Sequence, residues 1–469
     1  MLRLTPTPDQ ERAIERMLSE PTRAALNTSD TGGGKTLQAA ELALRMGAET
    51  VLVIAPISPL KGWKSTFERQ GWALPIRNID PKHPENHAAL VQGEKGLYLV
   101  GREFFYLSAN PSKPGKNGEI KRKARWLWTK ANADLVILDE SHSAKQRYGL
   151  MFETLKTLPK NSYRLAMSAT PQGSHFDGIW APTRWLWPGY PGPVDRSKQR
   201  WIAQWCETEK VWIGNGEYAT KVVGEKDPGA FLRSLPCVVG VKVDKKPYKL
   251  FDVKVTLSPE HKAVWDEMAT TSIAWMNDNP TVAKLPMEKR LRLRQMALAM
   301  PDINEEGEVS FAQDAESPKL RAALKIQDRH PGEPILYVTD SAKFAQIAAP
   351  QLGARLLVGG MKKADRDWLI DNLGKGYHYL VATYGAVAEG SDGLQTRCSI
   401  EVLFNPPDSA VMAEQFSGRL NRMGQRADFI TRYRLIAKDT LDDEHLSLIH
   451  ISEPTRQEAI SYAVFCLKK

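Results

Sequence analysis

Residues 27–39 read Asn-Thr-Ser-Asp-Thr-Gly-Gly-Gly-Lys-Thr-Leu-Gln-Ala, and that order of residue types suits a polyphosphate. Gly32, Gly33 and Gly34 let the backbone close into a concave nest of inward-pointing N–H groups, with Thr31 leading into it. Lys35 brings a mobile cation to the terminal phosphates, and Thr36 offers a hydroxyl to Mg²⁺. Residues 37–46 are expected to be helical, so that the positive end of the helix dipole adds to the nest. Ser29 stands where the usual phosphate-loop pattern has its first glycine. An ordinary glycine-rich turn before a helix has the same composition, so the assignment needs partners elsewhere in the chain.

Those partners are carboxylates. Residues 134–142 read Asp-Leu-Val-Ile-Leu-Asp-Glu-Ser-His, an apolar strand that delivers Asp139 and Glu140 at its C-terminal end, where open α/β sheets hold ligands. Asp139 suits a Mg²⁺ ligand, and Glu140 suits the group that orients and deprotonates an attacking water. His142 is placed to relay to neighbouring polar groups. Residues 162–171 repeat the pattern, a strand tipped by Ser168 and Thr170, whose hydroxyls can couple nucleotide state to other contacts. Gln10, ahead of the loop, carries the donor and acceptor pair that reads adenine, although a polar helix start looks the same. Residues 414–425 are expected to be helical. Arg419 and Arg422, three apart, then share a face as a phosphate clamp or as a basic surface.

The elements that must carry these groups read as two α/β units. Residues 50–55 and 96–100 are apolar runs of the kind that form buried parallel strands. A helix over residues 11–18 is capped by Thr7 or Asp9. A second alternation of strands and helices, with strands at 333–339, 354–358, 377–383, 399–404 and 431–436, has no Gly-Lys-Thr loop of its own. Between them lie Trp180, Trp185, Trp187, Trp201, Trp205 and Trp212, read as core in preference to a base-stacking surface. Short β-like runs follow to residue 250, a helical pattern over 257–300 and a polar linker over 301–318.

The expected fold class is α/β, two parallel-sheet lobes in tandem with a mostly helical insertion between them, the lobes being RecA-like by the resemblance given below. The expected boundaries are 1–178 for the first lobe, 179–312 for the insertion, 313–446 for the second lobe and 447–469 for a tail. The tail string Leu-Ile-His-Ile-Ser-Glu-Pro-Thr-Arg is similar to a translated sequencing adapter, and is expected to be foreign to the protein.

Composition narrows the classes. Hydrophobic residues make up 42% and charged residues 25% of the 469, which is ordinary globular material. The basic excess, 64 against 55 for a net charge of +9, permits a polyanionic partner. The basic run Lys121, Arg122, Lys123 and Arg125 is either a nucleic-acid contact or a solvated loop. Cys206, Cys237, Cys398 and Cys466 lack metal-ligand spacing and fit a reducing compartment. No apolar run spans a bilayer and the first residues lack a signal-peptide core, so a cytoplasmic location is expected, and the resemblance below makes it a bacterial or phage-infected cytoplasm.

Together these stretches resemble superfamily 2 helicases, and within them the Swi/Snf-type ATP-dependent DNA translocases. The resemblance runs from about residue 4 to 444 and is carried by the phosphate loop, Asp139-Glu140-Ser141-His142, Ser168-Ala169-Thr170 and Gln415-x-x-Gly418-Arg419-x-x-Arg422-x-Gly424-Gln425. Residues 56–63, Leu293-Arg294-Gln295 and Ser317-Pro318-Lys319 are similar too. The resemblance implies ATP and Mg²⁺ as cofactors and double-stranded DNA as partner. It implies adenine contact by Gln10 and arginine fingers at Arg419 and Arg422. Gln415, Gly390 and Asp392 fall at nucleotide-contacting positions, and Trp63 at a nucleic-acid-contacting one. The chain departs from the family in its Ser141, where remodellers usually carry Ala or Gly. The stretch 238–242 lacks the usual Arg-Arg pair, and no chromatin-reading module is visible. A compact prokaryotic or viral-type motor is therefore expected. A strand-separating or branch-migrating DNA helicase, an RNA helicase and a non-enzymatic nucleic-acid scaffold remain open beside it.

Overall fold

The computed structural model describes residues 3–57, 59–109, 128–145, 150–173, 175–189, 194–214, 217–276, 279–283, 285–304, 306–388, 393–408, 410–422 and 424–443. Lys121, Arg122, Lys123, Arg125, Gly390, Asp392 and the tail 447–469 lie outside them.

The chain divides into two compact units after Val243. In the first, β1 (Ala24–Asn27), β2 (Thr50–Ala55), β3 (Ile76–Ile79), β4 (Gly96–Gly101), β5 (Leu135–Asp139) and β6 (Tyr163–Met167) are joined by a hairpin of β7 (Cys206–Gly214) and β8 (Glu217–Glu225) to β9 (Val238–Val239). Apart from the hairpin these strands form one sheet in the order β3-β4-β2-β5-β6-β1-β9. Every pairing in it is parallel. Parallel neighbours need crossovers, which is why helices alternate with strands along the chain. Strands β1, β2, β4, β5 and β6 are buried along their whole length, as continuous apolar runs require.

The second unit has β10 (Tyr248–Val255), two short hairpins of β11 (Ile273–Met276) with β12 (Asn279–Val282) and β13 (Asp302–Ile303) with β14 (Val309–Ser310), then β15 (Ile335–Thr339), β16 (Arg355–Leu357), β17 (Tyr379–Thr383), β18 (Ile400–Leu403) and β19 (Ile430–Ala437). Its main sheet runs β10-β19-β18-β15-β17-β16 and is again parallel throughout. Two apolar clusters, one around Tyr337 and Phe404 and one around Leu336 and Leu403, draw on alternate residues of the same strands. They therefore cover its two faces.

Residues 179–312 do not stand apart as an insertion. Trp185, Trp187, Trp201, Phe231 and Val239 share one core with the strands of the first sheet, and β9 is an edge of that sheet beside β1. The large rings bury their area against the nearest apolar face instead of making a core of their own. Trp212 is the exception, 63% exposed on the β7–β8 hairpin. Past Val243 the chain contributes β10 to the second sheet. The segment is mixed, with three hairpins beside its helices.

Candidate nucleotide site

Adjacent strands β5, β6 and β1 end level with one another. Asp139 pairs with Met167, and Met167 pairs with Asn27. The phosphate loop after β1, Glu140 after β5 and Ser168 after β6 therefore emerge side by side at the C-terminal edge of the sheet, although over a hundred residues of chain separate loop and carboxylates.

The loop leads into α2 (Lys35–Arg45), the second helix of the chain after α1 (Pro8–Leu18). Gly32 and Gly34 have φ of +85° and +78°, the left-handed region that favours glycine. A side chain at Gly34 would also collide with the Gln10 amide. Behind the loop lies a buried amide lattice. Asn27 donates to Gln38 Oε1 at 2.9 Å and accepts the Ser29 N–H at 3.0 Å, while Gln38 Nε2 donates to the Gly33 carbonyl at 2.8 Å. The Lys35 ammonium donates to the carbonyls of Ser29 and Asp30 at 2.8 and 3.1 Å. Thr31 and Thr36 are half-buried.

Gln10 is the third residue of α1. Its Oε1 accepts the Thr7 N–H at 2.9 Å, closing a capping box with the Thr7 hydroxyl. Its Nε2 donates to the Gly33 carbonyl at 3.0 Å. Gln10 thus ties the first helix to the phosphate loop.

At the end of β5, Asp139 Oδ1 accepts the Glu140 N–H at 3.0 Å and Oδ2 accepts the indole N–H of Trp63 at 3.0 Å. Burial and the Glu140 charge push Asp139 up to about 6, while the Trp63 hydrogen bond and the Lys35 charge pull the other way. Glu140 leaves the strand at φ +48°, unusual for a non-glycine residue and typical of functional turns. The His142 ring lies with Nδ1 3.3 Å from Glu140 Oε2 and 3.1 Å from Ser168 Oγ. The Ser168 hydroxyl donates to the same Glu140 oxygen at 3.4 Å. Burial pushes Glu140 up, but His142, Lys35 and Ser168 outweigh it and hold the carboxyl below its usual value. The Thr170 N–H donates to Ser168 Oγ at 3.2 Å. The residues expected at the two strand tips are thus brought together.

These groups fit Mg²⁺. Among the described residues no three His, Cys, Asp or Glu side chains group as metal ligands. A nucleotide-bound Mg²⁺ takes one or two protein oxygens and the phosphates for the rest. Asp139 is a hard oxygen donor held charged at a cost in a buried setting, and a cation would offset that cost.

Trp63 corrects an expectation. It lies in α3 (Leu60–Gln70) at 1% exposure, with no face on which a base can stack. Its partner is Asp139 of the acidic pair, 76 positions away. Asn27, Gln38 and Asp30 were not singled out beyond the loop string. Gln38 and Glu41, three apart on the buried side of α2, were the signal that polar work is done behind the loop. Asp30 binds the segment leaving the unit, through the Val243 N–H at 3.1 Å and Lys242 at 3.4 Å.

In the second unit, the helix Ala410–Leu420 carries Gln415 and Arg419 but stops before Arg422, so the two arginines do not share one helix face. Asn421 ends the helix by binding the Lys246 backbone in both directions, at 2.8 and 2.7 Å. Gly424 follows at φ +97°. Arg419 donates to the Ala388 carbonyl. Gln415 and Arg422 are half-buried. The similar strings upstream prove structural. Lys319 is fully buried on Asp442 and the Phe404 carbonyl, and Arg294 grips Asp340 and the Pro406 carbonyl.

Residues 3–173 match the family model described as type III restriction enzyme, res subunit. Over 166 residues the chain is 28% identical to the chromatin structure-remodeling complex subunit snf21 of Schizosaccharomyces pombe, 34% of this chain and 13% of that protein. Over 202 residues it is 26% identical to the ATP-dependent helicase brm of Drosophila melanogaster, 42% of this chain and 11% of that one. Over those stretches the chain is similar to Swi/Snf-type helicase ATPases. The matches span about an eighth of those relatives' own lengths. An overlay on the Sulfolobus solfataricus SWI2/SNF2 ATPase core in complex with dsDNA covers 98% of this chain and 94% of that one, at 16% identity and a TM-score of 0.41. No helix among the described residues is long and apolar enough to cross a membrane.

Proposed function

We propose that the chain is a nucleic-acid-dependent ATPase that couples MgATP hydrolysis to translocation on, or remodelling of, double-stranded DNA. The observation that carries this reading is the single cluster at the ends of β1, β5 and β6. A glycine nest with Lys35 faces Asp139 and Glu140, and Glu140 is held by His142 and Ser168.

Phosphoryl transfer needs positioning and charge neutralisation more than covalent chemistry. In the proposed cycle the N–H groups of the nest and the Lys35 ammonium hold the phosphates, and Gln10 contacts the adenine. Thr36 and Asp139 hold Mg²⁺, which when bound neutralises phosphate charge. Glu140, ionised at neutral pH, orients a water and takes its proton. Arg419 and Arg422 of the second unit supply charge to the phosphates in the transition state, and Gln415, Gly390 and Asp392 contact the nucleotide from the same unit. His142, Ser168 and Thr170 tie the state of Glu140 to the tip of β6. Contacts to nucleic acid are mainly to phosphates, so binding is sequence-tolerant and salt-sensitive. Lys121, Arg122, Lys123 and Arg125 are candidate contacts of that kind.

The test is ATP hydrolysis titrated in parallel with duplex DNA, single-stranded DNA and RNA. Stimulation greatest with duplex DNA, and reduced by added salt, is the expected result. Stimulation by RNA alone would replace this reading with an RNA helicase, and no hydrolysis under any condition would leave a binding scaffold.

A further inference from the structure

We propose that Trp63 is a positioning residue for the divalent-cation site, fixing the rotation of the Asp139 carboxylate through its indole N–H. The inference rests on the reading above that Asp139 serves Mg²⁺, and it adds a residue whose ring touches neither nucleotide nor metal.

Trp63 sits in the first turn of α3, at 1% exposure, with its ring packed against Phe67 at a centroid distance of 6.2 Å. Filling that space takes only an apolar ring. Other buried tryptophans of this unit show as much, because the indole nitrogens of Trp72, Trp185 and Trp201 have no hydrogen-bond partner. Trp63 differs in aiming its N–H at a carboxylate, 3.0 Å from Asp139 Oδ2. The opposite oxygen, Oδ1, takes the Glu140 N–H at 3.0 Å. One donor on each oxygen sets the plane of the carboxylate, and each oxygen keeps a lone pair for a further partner. A carboxylate held by one donor alone can turn about its last bond, since that torsion is soft. Groups that orient a metal-binding carboxylate without touching the metal commonly change its affinity by about 10–100-fold.

α3 has a second anchor. At its far end the Gln70 amide binds the Leu4 backbone in both directions, at 2.8 and 2.9 Å, and donates to Glu41 at 2.6 Å. Glu41 lies on α2, the helix that begins with Lys35 and Thr36. Trp63 therefore stands on an element already registered to the phosphate-loop helix, and the indole points from a fixed base.

The test measures binding, not turnover. A fluorescent ATP analogue is titrated with and without Mg²⁺ against wild type, Trp63→Phe, and a variant with β-(3-benzothienyl)alanine at position 63, which keeps the ring shape and lacks the N–H. Both variants are expected to bind the Mg²⁺-free nucleotide within about twofold of wild type while needing about tenfold more Mg²⁺ for half-maximal effect. An unchanged Mg²⁺ requirement in the benzothienyl variant would overturn the inference. Equal losses with and without Mg²⁺ would also overturn it, by making Trp63 a packing residue only. Asp139→Asn, run beside them, separates the two readings. If it leaves the Mg²⁺ requirement unchanged, the cation role of Asp139 fails. If it raises the requirement and the position-63 variants do not, only the role of Trp63 fails.

Discussion

Glu140 combines a left-handed backbone with a carboxylate held by two side chains from outside its strand. A non-glycine residue pays about 1–2 kcal/mol for that conformation, and here it turns the side chain toward His142 and Ser168. Glu140→Gln keeps the shape and loses the ability to accept a proton. It should bind MgATP with near-normal affinity and turn it over about a hundredfold or more slowly, measured as nucleotide binding beside steady-state hydrolysis. His261 makes a prediction of a different kind. It is fully buried in the second unit, with Nε2 2.6 Å from the Met296 carbonyl. Burial holds its pKa below the usual value, and Lys319 adds to this against the opposing pull of the Met296 carbonyl and Glu316. A depressed histidine pKa means that the unfolded chain takes up the proton first. The stability His261 contributes is present above the unfolded value near 6.5 and is lost as pH falls below it. The stability advantage of wild type over His261→Gln should therefore shrink from pH 7.5 to 5.5, by at most about 1.4 kcal/mol per pH unit, read from denaturation curves at each pH.

The strands that carry the site were readable because buried parallel strands are continuous apolar runs. The expected runs at 50–55 and 96–100 match β2 and β4 to within a residue, and β5 and β6 end where their polar tips predicted. The strand β1 was not read. Ala-Ala-Leu-Asn is four residues of small and mixed character, and only its neighbours β6 and β9 make it a strand. Nor was β10, which is exposed over residues 249–252 and nowhere fully buried, as a sheet edge can be. Side-chain pairings across long stretches of chain were the other gap. Periodicity cannot say which carboxylate an indole 76 residues away will reach, or that Asn421 will end a helix on the Lys246 backbone. The same holds for Lys319, read as a family resemblance and found buried at the N-terminus of the helix Pro318–Arg329, against Asp442. Removing one partner of a buried pair strands the other charge. Lys319→Ala should destabilise the second unit by about 3–5 kcal/mol, seen by chemical denaturation, with the nucleotide affinity of the first unit unchanged.

The division of labour between the two units follows from what each contains. The first holds the chain's one Gly-Lys-Thr string and the acidic pair, and its exit strand is bonded to the phosphate loop itself. Thr28 and Asp30 donate their N–H groups to the Val239 and Val241 carbonyls at 2.7 and 3.0 Å, and the Asp30 carboxylate holds Val243. The chain that leaves for the second unit is thus laced to the loop that would hold the phosphates. The second unit brings Arg419 and Arg422 without a phosphate loop. If both units serve one reaction, the arginines matter to turnover and little to nucleotide affinity. Steady-state ATP hydrolysis by Arg422→Ala at saturating duplex DNA, beside nucleotide affinity from fluorescence, measures this directly. The account predicts affinity within about threefold of wild type and DNA-stimulated turnover lower by on the order of a thousandfold, with poor rescue by Arg422→Lys because an ammonium cannot present the planar fork. DNA-stimulated turnover at the wild-type rate in both Arg422→Ala and Arg419→Ala would contradict it.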